Sequence, residues 1–168
     1  VEPDPEKPPK KVGGAFIFYG SASGIPNGST ETADTRLTAP DSKLGSFFGW
    51  SVAGAGDIDD DGYADVIIGA PFYEFGETNE GVAFLYLGGA GGIADGGPNT
   101  ADTQLQSNQQ AAYLGHSVAD AGDVNGDGYS DVIVGAVLYD AGEMDEGAAF
   151  VFHGSAAGIA DGDPSTAA

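Results

Sequence analysis

The sequence predicts an all-β fold made of β-propeller blades, each of four antiparallel strands, with about two and a half blades present and the propeller therefore incomplete. Three observations lead there. A glycine-bounded apolar run, Gly13-Gly14-Ala15-Phe16-Ile17-Phe18-Tyr19-Gly20, returns at residues 81–88 and again at 147–154. An acidic loop with apolar flanks, residues 57–65, returns 66 residues later at 123–131. No stretch of useful length carries a helical period, and repeated four-stranded units of this size are how propellers are built.

The strands follow in order within each unit. The segment 48–53, with its counterpart 114–119, is rich in Ala and Gly, which suits a crowded first strand with close backbone neighbours. After the acidic loop, 65–70 and 131–136 are β-branched and the most apolar, as expected for strands covered on both faces. The recurring Gly-bounded run is the third strand. It is followed by loops of small residues, 21–34, 89–102 and 155–168, which share a Gly-Ile pair at Gly24-Ile25, Gly92-Ile93 and Gly158-Ile159. The polar segments 35–38 and 103–106 then read as outer, half-exposed fourth strands. The expected organisation is an extended segment rich in Pro and charge over 1–12, strands three and four of a partial blade over 13–43, a complete blade over 44–110, and a blade lacking its last strand over 111–168. About two and a half blades cannot close a ring alone, so further blades or other copies of the chain are expected to complete it.

The acidic loops carry the chemistry. Oxygen-bearing side chains at loop positions 1, 3, 5 and 9, a backbone carbonyl at position 7 and a sharp turn near position 6 suit a hard cation such as calcium. In the first loop these positions are Asp57, Asp59, Asp61, the carbonyl of Tyr63, and Asp65; in the second they are Asp123, Asn125, Asp127, the carbonyl of Tyr129, and Asp131. An EF-hand opens the same way, but it requires a glutamate at position 12 and helices on both sides. Here position 12 is Ile68 or Val134, and both flanks are strand-like. Asp, Asn and Gly also make ordinary turns. A plain turn gives no reason to gather four carboxylates against their own repulsion in the first loop and to repeat that spacing in the second. Two calcium sites are therefore expected, the second weaker because Asn125 replaces a carboxylate.

The net charge is -21, and all five cations, Lys7, Lys10, Lys11, Arg36 and Lys43, fall within the first 43 residues. From Leu44 to Ala168 there are twenty acidic residues and no Lys or Arg. Such a surface repels phosphate backbones and anionic headgroups, which argues against nucleic acid and membrane surfaces as partners. No run approaches the length of a membrane span, so direct membrane insertion is not expected, and the chain's start does not read as a signal peptide. Cysteine is absent, leaving the compartment unmarked by thiols. Asn27-Gly28-Ser29 matches a glycosylation sequon, although Asn-Gly is also a turn pair and is read here as one.

With the loop and its flanks in place, the chain resembles the FG-GAP repeat family known from the propeller of integrin alpha subunits. Phe48-Gly49 and Gly69-Ala70-Pro71 supply the two halves of that pattern around the first loop; Leu114-Gly115 and Gly135-Ala136-Val137 are departures in the second repeat that keep the apolar anchor. The resemblance implies a calcium-rigidified scaffold displaying loops to protein or glycan partners, with an extracellular or cell-surface address. A structural subunit of a surface filament or layer, assembling by blade completion, is the alternative. A hydrolase is the lesser one: His116 and His153 occupy repeat positions filled by Trp50 and by Tyr19 or Leu87, and Glu77, Glu80, Glu143, Asp145 and Glu146 read as a solvated acidic loop. The chain is therefore expected not to be an enzyme.

Overall fold

A computed structural model describes residues 13–40 and 45–168. The Pro- and charge-rich segment 1–12 and the boundary near residue 43 lie outside the described residues. Nine strands form three sheets. β1 (Gly14–Ile17) and β2 (Thr35–Thr38) make a two-stranded sheet. β3 (Ser51–Gly56), β4 (Asp65–Ala70), β5 (Val82–Tyr86) and β6 (Thr103–Gln106) make a four-stranded meander in that order. β7 (Leu114–Gly122), β8 (Asp131–Ala136) and β9 (Ala148–Phe152) make a three-stranded one. Every pairing is antiparallel. The chain is thus an incomplete propeller of about two and a half blades, and the only helical element among the described residues is a single 3-10 turn at Pro98–Thr100.

The middle blade buries both faces against its neighbours, and the β-branched run of β4 supplies side chains to each. Along β4, Ile67 enters one core with Ile58, Leu85, Leu105, Leu114, Val132 and Phe152, between the second and third blades. The next residue, Ile68, points the other way into a core with Leu37, Phe48, Val82 and Phe84, between the first and second. Strand alternation thus divides a continuous apolar run between two interfaces. β4, expected to be covered on both faces, is buried at every residue but Val66, and β5 is buried along its whole length.

Glycines at the blade junctions hold the sheets close. At Gly115 φ is +82°, and a Cβ there would lie 2.6 Å from the carbonyl oxygen of Val82, so the second repeat's Leu-Gly pair needs Gly for backbone and for space. Gly49, at φ +87°, meets the Gly14 carbonyl in the same way. The positive φ of Phe47 and Gly49 also explains why β3 starts at Ser51 rather than at residue 48. The expectation of a crowded first strand holds at Gly115, Ala55 and Gly56 and fails in the middle of β3. Val52 is 58% exposed and nothing lies within 4 Å of a Cβ on Gly54, because β3 is an edge strand paired only with β4.

The outer strands alternate, β2 between buried and exposed residues and β6 between buried and half-buried ones, as a half-exposed strand should. Each is tied to the loop of the next blade. Thr38 donates to the Gly96 carbonyl at 2.8 Å and Gly96 to the Arg36 carbonyl at 3.0 Å; Gln106 and Gly162 repeat the first bond at 3.0 Å. The shared Gly-Ile pair has its explanation here. Ile93 and Ile159 pack against the preceding blade, and their carbonyls accept the hydroxyls of Thr35 and Thr103.

Candidate metal centres

The β3–β4 and β7–β8 hairpins end in the two acidic loops, both at the same end of the sheets. Their frames are alike. Asp57, at position 1, accepts the amides of Asp61 and Gly62 at 3.0 Å, and Asp61 accepts the amide of Tyr63 at 2.9 Å. In the second loop Asp123 accepts the amides of Gly126, Asp127 and Gly128 at 2.7, 3.0 and 2.9 Å, and Asp127 accepts that of Tyr129. Three amides converging on Asp123, that of Gly128 foremost, hold its carboxyl below the usual carboxylate range.

Asp65 and Asp131, at position 9, close the loops from below. Asp65 is 1% exposed; its Oδ2 accepts the Ile58 amide and its Oδ1 the Gly88 amide, both at 2.7 Å. Asp131, fully buried, does the same with Val124 and Gly154 at 2.9 Å. Burial pushes the Asp65 carboxyl above its usual range, against the pull of those two amides. These residues build the loop floor whatever else they bind.

Asp57, Asp59 and Asp61 each offer a carboxylate oxygen, and the three oxygens lie within 4.8 Å of one another. Asp59 is the telling member: its Oδ1 is buried and has no hydrogen-bond partner. A buried oxygen left without a donor, beside two further carboxylates, is the arrangement a hard cation satisfies. The donor set therefore fits a divalent ion. In the second loop the position-3 residue, Asn125, is engaged internally: its amide donates to Asp127 Oδ2 at 2.8 Å and its oxygen accepts the Asp127 amide at 3.0 Å. Tyr63 is 44% exposed and Tyr129 half-buried.

The other acidic residues separate. Glu80, expected to be solvated with its neighbours, is 1% exposed, and its Oε1 accepts the amides of Phe75 and Glu77 at 2.6 and 3.0 Å, fixing the turn before β5. Glu77, Glu143, Asp145 and Glu146 are exposed. His153 lies near enough to Asp123 for its charge to help lower that carboxyl. His116 faces Trp50, ring centroids 5.5 Å apart. That contact belongs to an aromatic cluster the sequence did not announce, in which Phe47, Trp50, Phe72 and Tyr113 meet at 5.0 to 6.2 Å. The cluster sits at the sheet end opposite the acidic loops, and Phe47 and Trp50 are each 50% exposed.

Blades stacked face to face, with acidic loops capping their first hairpins, define a repeat β-propeller segment. The chain belongs to the FG-GAP repeat family: the FG-GAP repeat profile matches residues 48–86 and 117–152. Its sequence is similar to integrin alpha-5 of Xenopus laevis, 42% identical over 89 residues that cover 53% of this chain and 8% of that protein. It is similar also to integrin alpha-PS2 of Drosophila melanogaster, 37% identical over 124 residues, 69% of this chain and 8% of the relative. Integrin alpha pat-2 of Caenorhabditis elegans is 39% identical over 123 residues, 68% and 10% respectively. The chain thus spans a tenth or less of the length of these relatives.

Proposed function

We propose that the chain is a calcium-rigidified propeller segment of an extracellular or cell-surface protein, serving as an adhesion scaffold for protein or glycan partners rather than as an enzyme. The observation that carries the calcium reading is the unpartnered, buried Asp59 Oδ1 beside the Asp57 and Asp61 carboxylates. In this reading Asp57, Asp59, Asp61, the Tyr63 carbonyl and Asp65 hold one ion; Asp123, Asn125, Asp127, the Tyr129 carbonyl and Asp131 hold the other. Bound calcium supplies positive charge and oxygen coordination in place of carboxylate repulsion. The residues of each hairpin tip are then ordered against the blade beneath them, and the folded state gains by linkage. The second site is the weaker, since Asn125 removes one ligand charge and is already engaged by Asp127.

Partner binding is supported at the other end of the sheets by the exposed Phe47 and Trp50 within their aromatic cluster, since aromatic side chains of this kind are enriched at protein interfaces. The likeness to integrin alpha subunits supports the adhesion and cell-surface reading. Further blades are supported by two exposed side chains. Ile25 is 62% exposed where Ile93 and Ile159 pack on a preceding blade, and Val124 is 55% exposed where its counterpart Ile58 is fully buried. A blade before the first sheet would cover Ile25 and a blade after the third would cover Val124, each from a longer propeller or a second copy. The blade limits 13–43, 44–110 and 111–168 belong to the same proposal.

Calorimetric titration with calcium tests the reading on the intact chain and on Asp61→Ala and Asp127→Ala. Two sites are expected, each variant losing one, with the surviving site tighter in Asp127→Ala. Absence of binding to the intact chain contradicts the metal reading; equal affinities contradict the ranking.

A further inference from the structure

The two acidic loops are bonded to each other through one serine. The Asp57 amide donates to Ser130 Oγ at 3.1 Å, and the Ser130 amide donates back to the Asp57 carbonyl at 3.1 Å. Asp57 is position 1 of the first loop. Ser130 is position 8 of the second, between Tyr129 and Asp131. The fit is close: at Gly56, φ +77°, a Cβ would lie 2.2 Å from Ser130 Oγ. The next residue along strengthens the junction. Ile58, fully buried in the core between the second and third blades, accepts the Ser155 amide on its carbonyl at 3.2 Å, and its own amide is held by Asp65. Ser155 follows Gly154, whose amide is held by Asp131. A ring of contacts therefore runs from Asp57 to Ser130, Asp131, Gly154, Ser155, Ile58 and back through Asp65 to the first loop.

We propose that Ser130 is a positioning residue shared by both loops, so that they bind calcium as a cooperative pair; this rests on the calcium reading above. Both backbone polar groups of Asp57 engage Ser130, so ordering Asp57 from its side chain orders Ser130 as well. Ser130 in turn sets the segment that presents the Tyr129 carbonyl and Asp131 to the second ion. The ordering of the common segment is then required once rather than twice, which gives positive coupling without any shape change in the blades. Linkage makes the effect equal in both directions. The same position in the first loop is Ala64, which has no hydroxyl, so the coupling is a property of this blade pair.

Calorimetry with calcium alone tests it, using Asp59→Ala to disable the first loop and Asp127→Ala to disable the second. Each surviving site is expected to bind about fivefold more weakly than the same site with its neighbour filled. The factor is expected to be equal in the two directions. Ser130→Ala brings that factor close to one, and Ser130→Thr, which keeps the hydroxyl, restores it. Amide hydrogen exchange gives a second readout: in Asp127→Ala, calcium at the first loop raises protection at the Ser130 and Ser155 amides. Two sites that bind independently in the intact chain, with constants unchanged by Ser130→Ala, overturn the coupling and leave the calcium reading intact. No binding at all overturns the calcium reading and the coupling with it.

Discussion

Replacing Asp65 and Asp59 separately by alanine distinguishes a carboxylate that builds the loop from one that waits for a ligand. Asp65 accepts two amides at 2.7 Å from a site 1% exposed. Hydrogen bonds to a charged acceptor contribute about 1.5–3 kcal/mol each, and alanine leaves both amides unsatisfied. Burial works against the charge at Asp65, as its raised pKa shows, so the net loss falls at the lower end, about 2–4 kcal/mol in chelator. At about 2–4 °C per kcal/mol for a chain of this size, the midpoint drops by roughly 5–15 °C. Asparagine keeps one acceptor and loses about half as much. Asp59 behaves oppositely in chelator. Its Oδ1 has no partner, and its charge faces Asp57 and Asp61, so alanine is neutral or stabilises by up to about 1 kcal/mol. In calcium the same variant forfeits the first site's linkage, about 2.7 kcal/mol at a hundredfold excess over the dissociation constant. Thermal melts followed by circular dichroism, in chelator and in millimolar calcium, give all four numbers. Equal losses for the two variants in chelator would refute the division of labour.

Three further outcomes are expected. Tyr86 is 2% exposed, burial drives its phenol pKa well above the usual range, and its hydroxyl has no partner; Tyr86→Phe therefore raises stability by about 0.5–2 kcal/mol in urea unfolding, and a loss would contradict that assignment. Gly115→Ala combines a positive φ with a carbonyl 2.6 Å from the new Cβ and costs about 3 kcal/mol or more, whereas Gly122→Ala, φ +67° in open space, costs about 1; similar losses in the same assay would remove the blade-junction argument. Asp163 is held below the usual carboxylate range by the Ser165 hydroxyl and amide, with Asn108 adding to the effect. A depressed folded pKa contributes stability that is present above the unfolded value and lost as pH falls through the folded one. Ser165→Ala therefore moves the Asp163 midpoint upward in an NMR titration, and an unmoved midpoint counts against the contact.

Within a hairpin, the sequence was readable. β4 and β8 coincide with the apolar runs after each loop, because β-branched residues bounded by Gly leave few alternatives. The i, i+2, i+4 spacing of Asp57, Asp59 and Asp61 placed three carboxylates together, and they are together. Residues whose partners lie a blade away were not readable. Asp57 and Ser130 are 73 positions apart, and nothing in either loop shows that blade stacking joins them. Glu80 looks like its exposed neighbours until the turn wraps Phe75 and Glu77 around it. The Phe47, Trp50, Phe72, Tyr113 and His116 rings come from the turn before β3, the turn after β4 and the start of β7, and they meet only when the second and third sheets are stacked. Ile58 offered the one available hint, an aliphatic residue inside an acidic loop, and it is the residue that enters the core between blades.

The account depends on two ions seated in the hairpin tips. A crystal grown in millimolar calcium, with anomalous difference maps recorded at long wavelength, locates them without reference to any assay of binding. Peaks inside both tips, ringed by Asp57, Asp59 and Asp61 in one and by Asp123, Asn125 and Asp127 in the other, are the result expected. Tips free of anomalous signal in such a crystal, or ions held elsewhere on the acidic surface, would contradict it.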